Sequence, residues 1–350
     1  MAYTTINKST DYFNTKLYTG TGSSNAITGV GFQPDFTWIK DRDATNNHSL
    51  YDAVRGVTKV ILSNATNAET TYAQGLTAFG TDGFTVGTDS QNNTNGNDIC
   101  SWNWKAGTGQ GSSNTDGSIN TTYTSVNTTA GFSISSYTGT GSNATVGHGL
   151  GAAPEMVIVK CLNDAQNWFV YHQGMGATKV MYLDLTNAAQ TLAQGWNNTA
   201  PTNSVFSVGT EAGTNQNGNL YVAYCFAEKK GYSKFGTYVG NGNADGTFVY
   251  TGFKPALIIG KSHTHAGNWF MWDNKRPNEF NLVNSFLEAD NTAVEYTNNS
   301  NHSIDIYSNG WKFRGASGSN TANRTAIYMA FAEEPLVANV GASGVPATAR

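Results

Sequence analysis

Charge is scarce in this chain. Lys, Arg, Asp and Glu together make up 13% of 350 residues, about half of the usual ~25%. The 20 basic residues form no cluster and the formal net charge is −4, so a nucleic-acid partner held by phosphate neutralisation is not expected. No apolar run approaches the ~20 residues of a spanning helix, and we expect no membrane insertion. The opening "MAYTTINKST" has no apolar core and predicts no secretory signal. Cysteine is limited to Cys100, Cys161 and Cys225. Their scattered spacing matches no metal site, and they read as reduced, buried small hydrophobes. Low charge alone would permit disorder, but 17 Tyr, 17 Phe and 8 Trp require folded cores.

What fills the chain instead is repetition. "YTGTG" stands at 18–22 and again at 137–141, and "YVGNG" at 238–242. "GFQP", "GAAP" and "GFKP" end at Pro34, Pro154 and Pro255. "FTWIK", "MVIVK" and "LIIGK" end at Lys40, Lys160 and Lys261. Asn47, Asn167 and Asn268 keep the same register. These markers predict three tandem copies of one unit of about 100 residues. Each copy closes on an aromatic segment: "DICSWNWKA", "NLYVAYCFAE" or "AIYMAFAEE". The expected organisation is an N-terminal arm (1–12), copy one (13–106), a Gly/Ser/Thr/Asn linker (107–130), copy two (131–230), copy three (231–335) and a C-terminal tail (336–350). The linker reads as flexible or extended. Copies two and three follow directly and are expected to be held in a tighter mutual geometry.

Within a copy, apolar segments are four to eight residues long, rich in β-branched and aromatic types, and separated by Gly, Asn and Asp. Seven or eight such strands in ~100 residues predict an all-β fold. Each copy is expected to be an antiparallel β-sandwich of jelly-roll or lectin-like type. In "DFTWIK", Phe36, Trp38 and Lys40 face one way, Thr37 and Ile39 the other. Both faces of "MVIVK" are apolar, as in a central strand whose one face meets the opposite sheet. "ILSNATNAET" could hold one helical turn. "YTGTG" reads as a strand end with an aromatic anchor, followed by a turn whose glycines relieve backbone sterics.

Catalytic residues are not expected. Asp52 and Asp273 correspond, with His172 in copy two. Glu69 and Glu295 correspond, with Gln190 between them. No carboxylate pair recurs in all three copies, so a polysaccharide depolymerase is a weaker reading. Asp and Arg disappear together: Asp52 with Arg55 and Asp273 with Arg276, against His172 and Met175. A structural Asp–Arg pair explains that joint loss. His263 and His265, and the loop "TDSQNNTNGND" with Asp89 and Asp98, are too sparse to predict a metal site. No metal or other cofactor is expected. The candidate binding residues are Asn47, Asn167 and Asn268, with Trp168, Trp269 and Trp272 as a sugar-stacking platform. Core packing is the competing reading of those tryptophans.

Several stretches resemble a tandem-repeat family of tailed bacteriophages, especially marine ones. They are "MAYTTINKSTDYFNTKLYTGTGS", "GFQPDFTWIKDRDATNNHSLYDAVRG", "TDGFTVG", "YCFAEKKGYSKFGTYVGNGNADGTFVYTGFKP" and the terminal "YMAFAEEPLV…PATAR". The resemblance covers nearly the whole chain. It implies a virion structural or tail-fibre-like protein whose repeat has no assigned function, with lectin-like character and no catalytic residues to transfer. It implies assembly in the bacterial host cytoplasm into the virion, other capsid or tail proteins as partners, and a homo-oligomer on the particle. The expected role is capsid decoration or a tail appendage that acts by multivalent attachment. The alternative is a receptor-binding tail fibre that recognises host surface glycans.

Overall fold

The structure is a computed structural model that describes residues 4–276, 281–340 and 343–346. It is nearly all β and antiparallel. The first part of the chain forms β1 (Phe13–Thr19), β2 (Asn25–Ile27), β3 (Phe36–Asp41), β4 (Ser49–Asp52), β5 (Lys59–Leu62), β6 (Thr70–Thr71), β7 (Leu76–Gly80), β8 (Gly83–Val86), the short helix α1 (Ser90–Asn93) and β9 (Asp98–Trp104). The second forms β10 (Tyr123–Asn127), β11 (Phe132–Thr138), β12 (Ala144–Gly147), β13 (Met156–Cys161), β14 (Phe169–His172), β15 (Lys179–Tyr182), β16 (Gln190–Thr191), α2 (Ala193–Trp196), β17 (Val205–Val208), α3 (Ala212–Asn215) and β18 (Leu220–Phe226). The third forms β19 (Ser233–Val239), β20 (Phe248–Tyr250), β21 (Phe253–Ser262), β22 (Phe270–Asp273), β23 (Leu287–Glu288), β24 (Ile304–Tyr307), β25 (Gly310–Phe313) and β26 (Thr325–Pro335).

Three large sheets share one strand order. β1-β9-β3-β4-β5 corresponds to β11-β18-β13-β14-β15 and to β19-β26-β21-β22-β23. Each large sheet has a small one on its outer side: β2-β8-β7, β12-β17 and β20-β25-β24. Ile27, Ile39, Tyr51, Val60, Leu76, Phe84 and Ile99 fill the space between the two sheets of the first copy. Its residues of opposite parity, Phe13, Phe36, Trp38, Leu50, Cys100, Trp102 and Trp104, point instead into one core shared by all three copies. A strand that is buried on both faces therefore serves two different cores.

The aromatic closing strands line that shared core in layers. Register places Trp104, Phe226 and Phe331 at equivalent points, then Trp102, Tyr224 and Met329, then Cys100, Val222 and Ile327. Trp38, Ile158 and Ile259 lie beside the middle layer. Rings meet across copies: Phe36 stacks on Tyr224 at 4.5 Å and Phe13 on Phe331 at 5.1 Å. Main-chain bonds close the set into a ring. Glu69 donates to Leu162, Ala189 to His263, and Glu295 to Arg42. Each step runs from one copy to the next and the third returns to the first, which defines a pseudo-threefold axis through a triangular prism of sheets.

Three expectations change. The stretch 107–130 is not a loose spacer. β10 pairs with β11 along its length, and the Asp35 carboxylate accepts the N–H groups of Ala106, Thr108 and Gly109. Copies two and three are joined to each other and each is joined to copy one, so the expected special pairing of two and three is replaced by a ring with three seams. "ILSNATNAET" runs without a helix, and the first short helix is α1. Of the N-terminal arm, Ile6 is buried in the shared core, and residues 1–3 lie outside the described residues. The tail forms a hairpin of β27 (Val337–Val340) and β28 (Ser343–Pro346). Its residues 341–342 and 347–350 lie outside the described residues.

Candidate functional site

The turns from β3 to β4, β13 to β14 and β21 to β22 carry five of the six predicted residues, all but Trp272, and the pseudo-symmetry brings all three turns to one end of the prism. Trp168 and Trp269 do not form a platform there. They are 0% and 1% exposed. Trp168 Nε1 donates to the Leu62 carbonyl at 2.8 Å, and Trp269 Nε1 to the Tyr182 carbonyl at 2.8 Å. Leu62, Tyr182 and Glu288 are equivalent by register, so each indole is a bolt into the preceding copy. His48 holds this place in copy one. Its Nδ1 accepts from Trp38 Nε1 at 2.9 Å, which leaves Nε2 as the protonated nitrogen beside the Glu288 main chain, short of good hydrogen-bond geometry. Asn64, Asp184 and Asp290 each accept the main-chain N–H of the bolt residue. Trp272, 1% exposed, lies in the sandwich of copy three with its Nε1 on the His302 carbonyl. All three indoles are core, because a ring of that size is worth more buried than stacked in water.

Asn47, Asn167 and Asn268 are half-buried. Asn47 is a bracket: its amide donates to Gln91 Oε1 at 2.9 Å and its carbonyl accepts from Asn64 at 2.8 Å. Neither Asn167 nor Asn268 makes a corresponding side-chain bond among the described residues. Beneath the turns, Lys40, Lys160 and Lys261 are buried. Lys40 and Lys160 donate to main-chain carbonyls of their own turns, and Lys160 and Lys261 donate to Thr66 and Leu185 of the neighbouring copy. Burial brings each ammonium down to about 8, against the pull of neighbouring acidic groups.

Acids and bases do gather, but at the seams. Arg55 Nε meets Asp52 at 2.5 Å and its Nη1 meets Glu69 at 3.2 Å, while Tyr224 of the next copy donates to the same Asp52 oxygen at 2.6 Å. Arg276 meets Asp273 at 2.6 Å and Glu295 at 3.0 Å, and Trp102 Nε1 donates to Asp273 at 3.1 Å. Arg42 clamps Glu295 from the first copy at 2.6 Å. Burial works against both buried cations, yet Asp52 and Asp273 beside them raise their affinity for the proton. The third seam is neutral. His172 Nδ1 accepts from Gly174 N–H at 3.0 Å, so its Nε2 carries the proton and donates to the Tyr328 carbonyl at 3.1 Å. Burial pushes this imidazole down to about 4, with the Tyr328 bond opposing. Register also shows that Ala189, not Gln190, matches Glu69 and Glu295.

Sequence reading missed the partner of "YTGTG". Asn93, Asn215 and Asn320 are fully buried. Their carbonyls accept the N–H of Thr21, Thr140 and Asn241, and their amides donate to carbonyls on both sides of the loop. Gly22, Gly141 and Gly242 at φ +65°, +70° and +65° let the loop close on that clasp. In the "TDSQNNTNGND" loop, Asp89 caps α1 through the Gln91 N–H. Among the described residues, no group of three His, Cys, Asp or Glu side chains is placed to hold a metal ion. The three cysteines are free and buried. No helix among the described residues is long and apolar enough to cross a membrane.

A second unpredicted set lies on the outer sheet of copy three. Phe248 and Tyr250 are 44% and 54% exposed. The Phe248 ring meets Tyr307 edge-on at 6.0 Å. Arg314 donates to Asp305 at 2.5 Å and to the Tyr307 hydroxyl at 2.9 Å, and Lys312 pairs with Asp245 at 2.5 Å.

Residues 8–335 match a family model described as Domain of unknown function (DUF7483). The chain belongs to this family. One DUF7483 span covers all three large sheets. No curated protein and no solved structure matches the chain.

Proposed function

We propose that the chain is a structural protein on the surface of a bacteriophage particle, acting by attachment and not by chemistry. The particle assignment rests on the sequence segments quoted above, from "MAYTTINKSTDYFNTKLYTGTGS" to "YMAFAEEPLV…PATAR". The mode of action rests on one observation: the acids and bases gathered at the seams are spent on each other and on donors from the adjoining copy. Asp52, Arg55 and Glu69, and Asp273, Arg276 and Glu295, are committed to structure. A prism bolted in this way holds three equivalent turns at one end. Three tethered contacts that are individually weak can raise avidity ~10²–10⁴-fold.

The test is to tag the chain, purify infectious particles on a density gradient and image them with a label against the tag. We expect the chain in the particle band, with label on the exterior. A chain found only in the soluble lysate would overturn the reading. New reducing ends after incubation with host envelope glycan would overturn the non-enzymatic part.

A further inference from the structure

We infer that the outer face of β20-β25-β24 is a binding surface for neutral carbohydrate. This goes beyond the particle assignment and stands without it. The face is one that the fold does not require. β20 alternates, with Val249 buried and Phe248 and Tyr250 outward. Register puts Ala26 and Thr145 at the Phe248 position and Gly147 at that of Tyr250. Gly80 matches Tyr307. Only copy three places aromatic rings at these solvent-facing points, so neither the sandwich nor the shared core accounts for them.

The geometry suits a sugar. Tyr250, Gly310 and Tyr307 form one row across the three strands, and Phe248, Lys312 and Asp305 form the next. Gly310, between the two tyrosines, has no side chain, and the tip of the Phe248 ring reaches over it toward Tyr307. A Cβ there would sit 2.1 Å from the Val249 carbonyl oxygen and 3.1 Å from the tip of the Phe248 ring. The exposed Phe248 and Tyr250 rings offer a surface onto which the C–H face of a pyranose can lie, and Arg314 and Asp305 on the same face offer fixed partners for its hydroxyls. Arg314 is locked by Asp305 and the Tyr307 hydroxyl, so its donors need no further ordering.

Charge and area select the ligand class. Lys312 and Arg314 are answered by Asp245 and Asp305, so the rim offers no net charge to a phosphate or an acidic polymer. Phe248 and Tyr250 at their observed exposure offer about 200 Å² of ring surface. That is well below the ~800 Å² per partner of a stable protein interface. A small uncharged polyhydroxylated ligand fits both facts.

The experiment is affinity electrophoresis of the whole chain through gels containing a β-1,3-glucan, a galactomannan or dextran, alongside Y250A, F248A and the double variant. These side chains are exposed, and an unchanged melting curve will show that the fold survives. We expect retardation in at least one neutral gel, about tenfold weaker for each single variant and absent for the double. Three results would overturn the inference: no retardation in any neutral gel, retardation that the double variant retains, or self-association in gel filtration that Y250A abolishes. Particle labelling is read separately, so either outcome leaves that question untouched.

Discussion

Two seams of the prism are ionic and one is neutral, and the difference shows how a buried charge constrains a repeat. In the ionic seams, Asp, Arg, Glu and a donor from the next copy form one unit: Asp52, Arg55, Glu69 and Tyr224, then Asp273, Arg276, Glu295 and Trp102. The neutral seam has His172, Met175, Ala189 and Met329. Methionine has no hydrogen to give a carboxylate, and without Arg an aspartate would be buried unpaired. His172 satisfies both its nitrogens on main-chain groups instead. The four positions therefore differ as a set between the ionic seams and the neutral one.

The sharpest way to break the comparison is to remove one member. Arg276→Met strands Asp273 in the interior without a cation, leaves Glu295 to Arg42 alone, and should cost about 3–5 kcal/mol in urea titration. Converting all four positions of that seam (Asp273→His, Arg276→Met, Glu295→Ala, Trp102→Met) should recover a substantial part of that loss. A fourfold variant less stable than Arg276→Met alone would show that the seams are not interchangeable units. Next in size are the bolts. Trp269→Phe removes an indole N–H and leaves the Tyr182 carbonyl without its partner, at a cost of about 1–3 kcal/mol. The cost should appear as one cooperative transition, because the copies share a core. A separate early transition for one copy would contradict the closed ring.

Acid sharpens the contrast between seams. In the fold His172 stays neutral down to about 4, while unfolded it titrates near its usual 6.5. The unfolded chain then binds more protons throughout that window, so stability falls as pH drops from 6.5 to 4. The contribution is up to about 3 kcal/mol. His172→Gln should flatten that part of the profile relative to the parent chain, whatever it does to absolute stability. An unchanged slope between pH 6.5 and 4 would mean that His172 does not carry it.

The all-β class was legible in short apolar segments, and the paired Asp and Arg in their joint absence from copy two. The second core was not. "MVIVK" shows that both strand faces are covered, but the pattern is the same whether the cover is the strand's own sandwich or a neighbouring copy. For that reason Trp168 and Trp269 were ambiguous, and their burial follows from contacts 106 and 87 residues away in sequence. Asn93, Asn215 and Asn320 were readable by register, since each follows "YTGTG" or "YVGNG" by a similar interval, but polar loops conceal which asparagine is buried. Phe248 and Tyr250 looked like ordinary strand residues, and only exposure distinguishes them.

The smallest expected effect on stability falls on the turns themselves. Asn47 braces Asn64 and Gln91, so Asn47→Ala should cost about 1 kcal/mol. Asn167→Ala and Asn268→Ala remove half-buried amides without such partners and should each stay within about 0.5 kcal/mol. That separation makes them clean probes of attachment, because the fold is left intact. If the three-turn end of the prism is the contact surface, the Asn167→Ala/Asn268→Ala chain should enter particles or adsorb to cells less well while melting like the parent. Normal incorporation and normal adsorption would place the contact elsewhere on the prism, with the aromatic face of copy three as the next surface to remove.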